Sequence, residues 1–218
     1  MIRSANLAAL VALSLAAIGC QATMPAAASA PASAVAAPAT MASPGCARIQ
    51  RGVQGDIADT RIAQRWPDAS YGDQQVAFAG QAGEGGKRFM LMGFDLRMIP
   101  KNAVISRAVL TVQKTGGLGG DLLVHRVNAR WDERTASYNA LAAAWDSGIE
   151  PSLQTGGEGC HGPMTVDLTG MVRSWVSGEL DNNGVLLSSD AGLAVATSEA
   201  EDLDERPHLD VCFMLPDA

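Results

Sequence analysis

The chain has 218 residues, 47% of them hydrophobic and 18% charged, and a formal net charge of −7 at pH 7. This composition is typical of a soluble globular protein rather than of a disordered or membrane-spanning one. A general nucleic-acid binder needs a basic surface to neutralise phosphates, so the acidic balance argues against nucleic acid as a partner.

Residues 1–19 have the pattern of a secretory leader. Arg3 supplies one positive charge, and no charged residue follows before Cys20. The apolar stretch is shorter than the roughly 20 residues that span a bilayer. It ends in Ala17-Ile18-Gly19-Cys20, which resembles the lipobox of bacterial lipoproteins, where the cysteine is acylated and becomes the first residue. The alternative is an ordinary leader cut at a later Ala-x-Ala site.

Lipidation of Cys20 makes the membrane a predicted partner and the bacterial cell envelope the predicted location. Gln21, rather than Asp, follows the cysteine, which resembles the pattern sorted to the outer membrane in enteric bacteria. Residues 20–45 then form a predicted tether, because 21–45 contain eleven alanines, four prolines and no charge. The prolines disfavour the alternative of an alanine-rich helix.

Three cysteines remain if Cys20 carries lipid, so one bridge and one free thiol are expected in an oxidising compartment. Cys46 opens the domain and Cys212 lies in its last predicted strand. First and last strands often lie side by side in β-sandwiches, which favours a Cys46–Cys212 bridge and leaves Cys160 over. A zinc site at Cys160 and His161 is the alternative, although it lacks paired Cys-x-x-Cys spacing.

From residue 46 onward, apolar and polar residues alternate with a period of two. Ala108, Leu110 and Val112 share one face of a predicted strand, and Arg107 lies on the other. Similar alternation recurs at 164–169 and 208–213, whereas 89–96 is more continuously apolar, as expected of a central strand covered on both faces. With glycine-rich turns between the strands, the pattern predicts an all-β sandwich of two antiparallel sheets over 46–218.

One short helix interrupts the strands at 169–177. Thr169 is a candidate N-cap, and Gly178 can end the helix. Two turns of helix would not be stable alone, so the helix is expected to pack across an open end of the sandwich. A second helical fragment is predicted at 137–144. The apolar stripe of the first helix consists of Met171, Val172, Trp175 and Val176.

Six short blocks, in order over 47–214, resemble a known family. They are ADTRI at 58–62 with YG at 71–72; RFMLMGFDL at 88–96 with IP at 99–100 and ISRAVL at 105–110; WDE at 131–133 with YN at 138–139 and Trp145; VDLT at 166–169 with Trp175; NGVLL at 183–187; and SE at 198–199 with RPHL at 206–209. Together they resemble the DNRLRE (disaggregatase-related) domain. The chain departs from the family at Ser137-Tyr138, where Thr-Trp is usual.

The resemblance implies a jelly-roll sandwich of secreted and surface proteins. Some members of that family are attached to polysaccharide lyases and bind acidic polysaccharides such as alginate, and others have no established ligand. The shared residues are mostly structural, so the resemblance supports an inference about the fold more strongly than one about the function.

The sequence offers little that points to catalysis. It contains no HExxH, GxSxG or phosphate-binding loop motif, and no enzymatic activity is predicted. The three histidines are scattered, and His125 and His208 are expected at the surface or a sheet edge because they face away from apolar neighbours.

Two acidic segments, 132–133 and 199–205, could in principle hydrolyse a glycoside. A compact sandwich of this size leaves little room for the deep cleft that a glycosidase needs, and a solvated loop explains 199–205 more simply. Alternatively, these oxygens or those of Asp56 and Asp59 could hold a structural calcium ion, since calcium prefers carboxylate and carbonyl oxygens.

Carbohydrate binding needs exposed aromatic faces with polar or charged groups nearby. Trp131, Trp145 and Trp175 are expected in the core or at its rim. Trp66 lies in a predicted loop close to Arg61 and Arg65, a setting that would suit an acidic sugar. The alternative is that Trp66 anchors its loop to the sandwich.

The candidate glycan-binding residues are therefore Trp66, Arg61, Arg65 and Tyr71. The predicted function is that of a lipid-anchored surface module that binds polysaccharide without catalysis. The alternative is a structural envelope protein whose domain packs against other proteins or mediates adhesion; a large flat apolar patch would favour it.

Overall fold

The computed structural model describes residues 44–81, 85–117, 122–141, 143–148, 154–156 and 161–215. The predicted leader, Cys20, the tether up to residue 43 and Cys160 lie outside the described residues. Within them, two short helices and eleven strands form an all-β sandwich of the jelly-roll type, as predicted. In chain order the elements are β1 Gly45–Ile49, β2 Ile57–Ala63, β3 Val76–Gln81, β4 Lys87–Phe94, β5 Val104–Gly117, β6 Leu122–Arg126, α1 Tyr138–Leu141, β7 Gln154–Gly156, β8 Gly162–Asp167, α2 Thr169–Ser177, β9 Val185–Ser189, β10 Leu193–Ala196 and β11 His208–Met214.

Every strand pairing is antiparallel, and the strands form two layers. In the first layer the long strand β5 pairs with β11, β8 and β10, while β1 lies outside β11 and β7 outside β8. In the second layer the order is β2, β4, β9, β6. Strand β3 pairs with β10 of the first layer and, at its end, with β4 of the second, so the two layers join into one curled sheet.

The core between the layers follows the predicted alternation. Ala108, Leu110 and Val112 of β5 are fully buried there and face apolar residues of the second layer such as Met92 and Leu187. The prediction that 89–96 is covered on both faces is confirmed for β4. Alternate residues face the main core, whereas Leu91 packs in a second cluster on the outer side of the sheet.

That second cluster is formed where 127–141 and 143–145 fold over the outer face of the second layer. Trp131, Tyr138 and Trp145 pack on it, as expected for Trp131 and Trp145. His125 lies in β6, the edge strand of the second layer within the described residues, in line with the edge position that was one of the two expectations. The same covering buries it to 8% exposure, so it is not a surface residue. Its Nδ1 lies 2.9 Å from the carbonyl oxygen of Gly148, and its Nε2 lies 2.9 Å from Ser188 Oγ. His208 is half-buried in β11.

Helix α2 confirms the predicted helix at 169–177, and α1 falls within the predicted fragment at 137–144. Gly178 ends α2 in the left-handed conformation with φ of 77°, as predicted. Thr169 does not cap the helix, because its Oγ1 accepts the Ala108 N–H at 2.9 Å and so ties the helix start to β5. Trp175 packs on Phe94, at the end of β4, which places α2 at one end of the sandwich.

The predicted disulfide joins Cys46 to Cys212. The two residues stand opposite each other in the β1–β11 pair, because β1 runs antiparallel to the last strand. The bridge therefore connects the two ends of the domain.

Candidate functional site

Three carboxyl groups from distant parts of the chain meet beside β2. Asp59 lies within β2, Glu133 follows β6, and Glu199 follows β10. Each offers an oxygen within 4.8 Å of an oxygen of the other two. We call Asp59, Glu133 and Glu199 the acidic cluster.

Asp59 is the most deeply placed member of the cluster, with 1% of its surface exposed. It shares the core-facing side of β2 with Ile57, since side chains two residues apart in a strand point the same way. Its Oδ2 accepts the Ser198 N–H at 2.7 Å, and its own N–H donates to Glu133 Oε1 at 2.7 Å. Its Oδ1 is buried and has no hydrogen-bond partner among the residues that the structure describes, which is costly for a polar atom.

Arg51 binds the outer side of the cluster. Its guanidinium group donates to Asp56 Oδ1 at 2.7 Å, to Glu133 Oε2 at 3.0 Å and to Glu199 Oε1. Burial alone would lower the pKa of Arg51, but these carboxylates raise it above its ordinary value. When all groups are ionised, four carboxylates share a single guanidinium group, which leaves the region strongly negative.

The electrostatics of the cluster act against its own ionisation. Burial, together with the nearby Glu199 and Glu133, raises the pKa of Asp59 to about 8 although the Ser198 N–H opposes the change. Burial likewise raises the pKa of Glu199, with Arg51 opposing. The environment of the cluster therefore disfavours the ionised form of Asp59 unless a further positive charge compensates it.

A cavity of about 730 Å³ opens beside the cluster. Arg51, Glu133 and Glu199 form part of its wall. Gly72 lines another part of the wall and packs against the backbone of Glu133. A Cβ atom at position 72 would lie 2.3 Å from the Glu133 carbonyl oxygen. A larger residue at position 72 would displace the segment that carries Glu133. The remaining lining residues are Asp56, Ser70, Asp73 and Arg134.

Guanidinium groups stack on aromatic rings along β2, β3, β4 and the loop after β2. Arg61 lies 4.0 Å from the centre of the Tyr71 ring, and Arg65 lies 5.3 Å from the centre of the Trp66 ring. Phe78 lies between two arginines, Arg61 at 5.4 Å and Arg88 at 5.2 Å. These contacts connect Arg61, Tyr71, Phe78 and Arg88 into one group, and Arg65 and Trp66 into a second. We call the two groups together the arginine–aromatic surface.

Among the residues that the structure describes, Arg61, Arg65 and Arg88 form no salt bridge. Arg61 Nε is buried and has no hydrogen-bond partner in the described part of the chain, and burial lowers the pKa of Arg61 from its ordinary value. Trp66 is 48% exposed, so about half of this residue is accessible to solvent.

The structure brings the four candidate glycan-binding residues together in pairs, Arg61 with Tyr71 and Arg65 with Trp66. Sequence reasoning missed Phe78 and Arg88. Phe78 lies in β3 and Arg88 in β4, and the sequence of neither strand indicates that these side chains lie near Arg61. Predicting them would require knowing how the strands pair.

The acidic residues are grouped differently from the predicted calcium pair, Asp56 and Asp59. Asp59 joins Glu133 and Glu199, whereas Asp56 is bound by Arg51. The expectation that 199–205 is a solvated loop holds for 201–205, which are exposed, and is wrong for Glu199. Glu199 is half-buried because Ser198 next to it bonds Asp59.

A comparison with models of protein families finds no family that matches this chain, and a search of curated proteins finds no match. Of the described helices, none has the length and apolar character needed to cross a membrane.

Proposed function

We propose that the domain binds an acidic polysaccharide at the arginine–aromatic surface, without catalysis, and that a lipid on Cys20 holds it at the cell envelope. The observation that carries the proposal is the stacking of Arg61 on Tyr71 at 4.0 Å, with no carboxylate partner for Arg61 among the described residues. A pyranose ring can lie on an exposed aromatic face, and a uronic acid carboxylate can accept two parallel hydrogen bonds from a guanidinium group.

The charge balance supports an acidic ligand. The chain carries a net charge of −7, yet Arg61, Arg65 and Arg88 form no salt bridge with any residue that the structure describes. Stacking on a ring holds a guanidinium group in one orientation, so less entropy is lost when a ligand carboxylate binds it. A neutral glycan would leave these groups without a counter-ion.

The wider setting agrees with this proposal. The lipobox-like end at Cys20 favours surface display, and the resemblance to the DNRLRE domain implies a module of surface proteins, some of which bind acidic polysaccharides.

The purified full chain is expected to be retained by at least one acidic polysaccharide, in a panel of alginate, homogalacturonan and hyaluronan set against neutral xylan and laminarin. Trp66→Ala should weaken that binding about tenfold, since an aromatic face in contact with a ligand contributes roughly 1 kcal/mol or more. Affinity electrophoresis measures the change.

Val104→Ala is the matched control, because Val104 is another exposed apolar residue and lies at the start of β5. It should bind like the unmodified protein, with the same circular dichroism spectrum. Retention by neither class of polymer would reject the proposal and favour the structural envelope role.

A further inference from the structure

We propose that Asp59, Glu133 and Glu199 bind one calcium ion. This site is separate from the arginine–aromatic surface and does not depend on the proposed function. It would make the acidic cluster a metal centre at the edge of the cavity.

The spacing of the oxygens fits a single ion. Calcium lies about 2.3–2.6 Å from its oxygen ligands, so two ligands of one ion can be up to roughly 5 Å apart. The three carboxyl groups offer oxygens that all lie within 4.8 Å of one another. One cation can therefore contact all three with little movement of the side chains.

The unpartnered oxygen of Asp59 is an independent indication of a ligand. Within the described part of the chain, Asp59 Oδ1 is buried and has no hydrogen-bond partner, although the other oxygen of the same carboxyl group accepts the Ser198 N–H. Buried polar atoms in folded proteins are almost always satisfied, by protein, water or an ion. A cation coordinated by Oδ1 would satisfy it and stabilise the ionised carboxylate.

Arg51 does not take the place of such an ion. It binds Glu133 and Glu199 on the side of the cavity and makes no hydrogen bond to Asp59. Each carboxylate oxygen can accept a second partner, so the oxygens that Arg51 uses remain able to coordinate a metal. A divalent ion beside Arg51 would bring the four carboxylates of this region close to neutrality.

The ligand set favours calcium over other common metals. All three side chains are carboxylates, whereas zinc in proteins prefers cysteine and histidine. Calcium accepts six to eight oxygens in flexible geometry, and water from the adjoining cavity can complete the shell. Magnesium requires near-ideal octahedral geometry, which three carboxylates on separate segments match less well.

The ion would tie together β2, the segment after β6 and the segment after β10. Asp59 and Glu133 are 74 residues apart in the chain. Because Glu133 and Glu199 line the cavity, calcium would hold that part of its wall in place.

Calorimetric titration of the chelator-treated full chain with calcium chloride tests the site. We expect one calcium ion per chain and at least tenfold weaker binding of magnesium chloride. Asp59→Asn should abolish calcium binding. Glu201→Gln, at an exposed carboxylate two residues from Glu199, should bind as the unmodified chain does.

Thermal unfolding of the unmodified chain provides a second measurement that does not depend on the variant. Calcium should raise the midpoint in the unmodified chain and in Glu201→Gln, and leave Asp59→Asn unchanged. The proposal is overturned if the folded, unmodified chain shows neither heat of binding nor a shift in midpoint. Calcium binding retained by folded Asp59→Asn, or magnesium bound as tightly as calcium, would overturn it equally.

Discussion

The double substitution Cys46→Ser and Cys212→Ser is expected to lower the free energy of unfolding by about 4 kcal/mol. The bridge joins residues 166 positions apart, so it closes almost the whole domain into one loop. A cross-link over so long a loop removes much of the conformational entropy of the unfolded chain, and the chain-entropy model gives roughly 5 kcal/mol as the upper end. Without the bridge, β1 would be held to β11 by their backbone pairing, by the Arg48–Asp210 ion pair and by the burial of Ile49 in the core.

Urea denaturation under oxidising conditions measures this loss. Reductant should lower the stability of the unmodified chain by a similar amount and leave the double-serine variant unchanged, which controls for the substitutions themselves. A loss below about 1 kcal/mol would show that the bridge does not constrain the unfolded chain in this way.

Arg51→Met is expected to destabilise the domain by about 3 kcal/mol in the presence of chelator. Arg51 is 23% exposed at its side chain and bonds three carboxylates, so its loss leaves partly buried negative charges facing one another. If calcium binds the acidic cluster, adding it should recover most of this loss, because a divalent ion supplies the missing positive charge.

Arg48→Met is the matched control for that variant. Arg48 pairs with Asp210 alone, and its side chain is 50% exposed. Such a surface pair contributes about 0–1 kcal/mol, so the control should change stability little, with or without calcium. Chemical denaturation of both variants, in chelator and in calcium, measures whether Arg51→Met lowers stability more than Arg48→Met does and whether calcium restores it. An equal, small effect of the two substitutions would contradict the role assigned to Arg51.

The predictions from sequence were most accurate where the physical signal is local or follows from chain order. Alternation at 108–112 identified the core face of β5, and the apolar stripe with Gly178 identified helix α2. The Cys46–Cys212 bridge followed from the expectation that first and last strands are neighbours. Each inference needs only a residue pattern and one general packing rule.

The remaining features depend on contacts between distant parts of the chain. The acidic segments were recognised one at a time, but no local pattern shows that Asp59 meets Glu133 and Glu199. His125 lies in an edge strand, as expected, but it is buried rather than exposed because 143–148 covers an outer face that alternation alone assigns to solvent. Threonine is a residue type suited to capping, yet the hydroxyl oxygen of Thr169 accepts a hydrogen bond from β5 instead.

Binding of one acidic polysaccharide in its free-acid and esterified forms tests the central claim most directly. The probe is the acidic polymer retained most strongly in the panel, because esterification removes its charge while keeping its backbone. We expect the full chain to bind the free acid at least tenfold more tightly, and Arg65→Gln to reduce that preference. Arg97→Gln, at an exposed arginine paired with Asp95, should keep the preference. Equal affinity for the two forms, or the same preference in Arg65→Gln, would contradict recognition of acidic sugars by the arginine–aromatic surface.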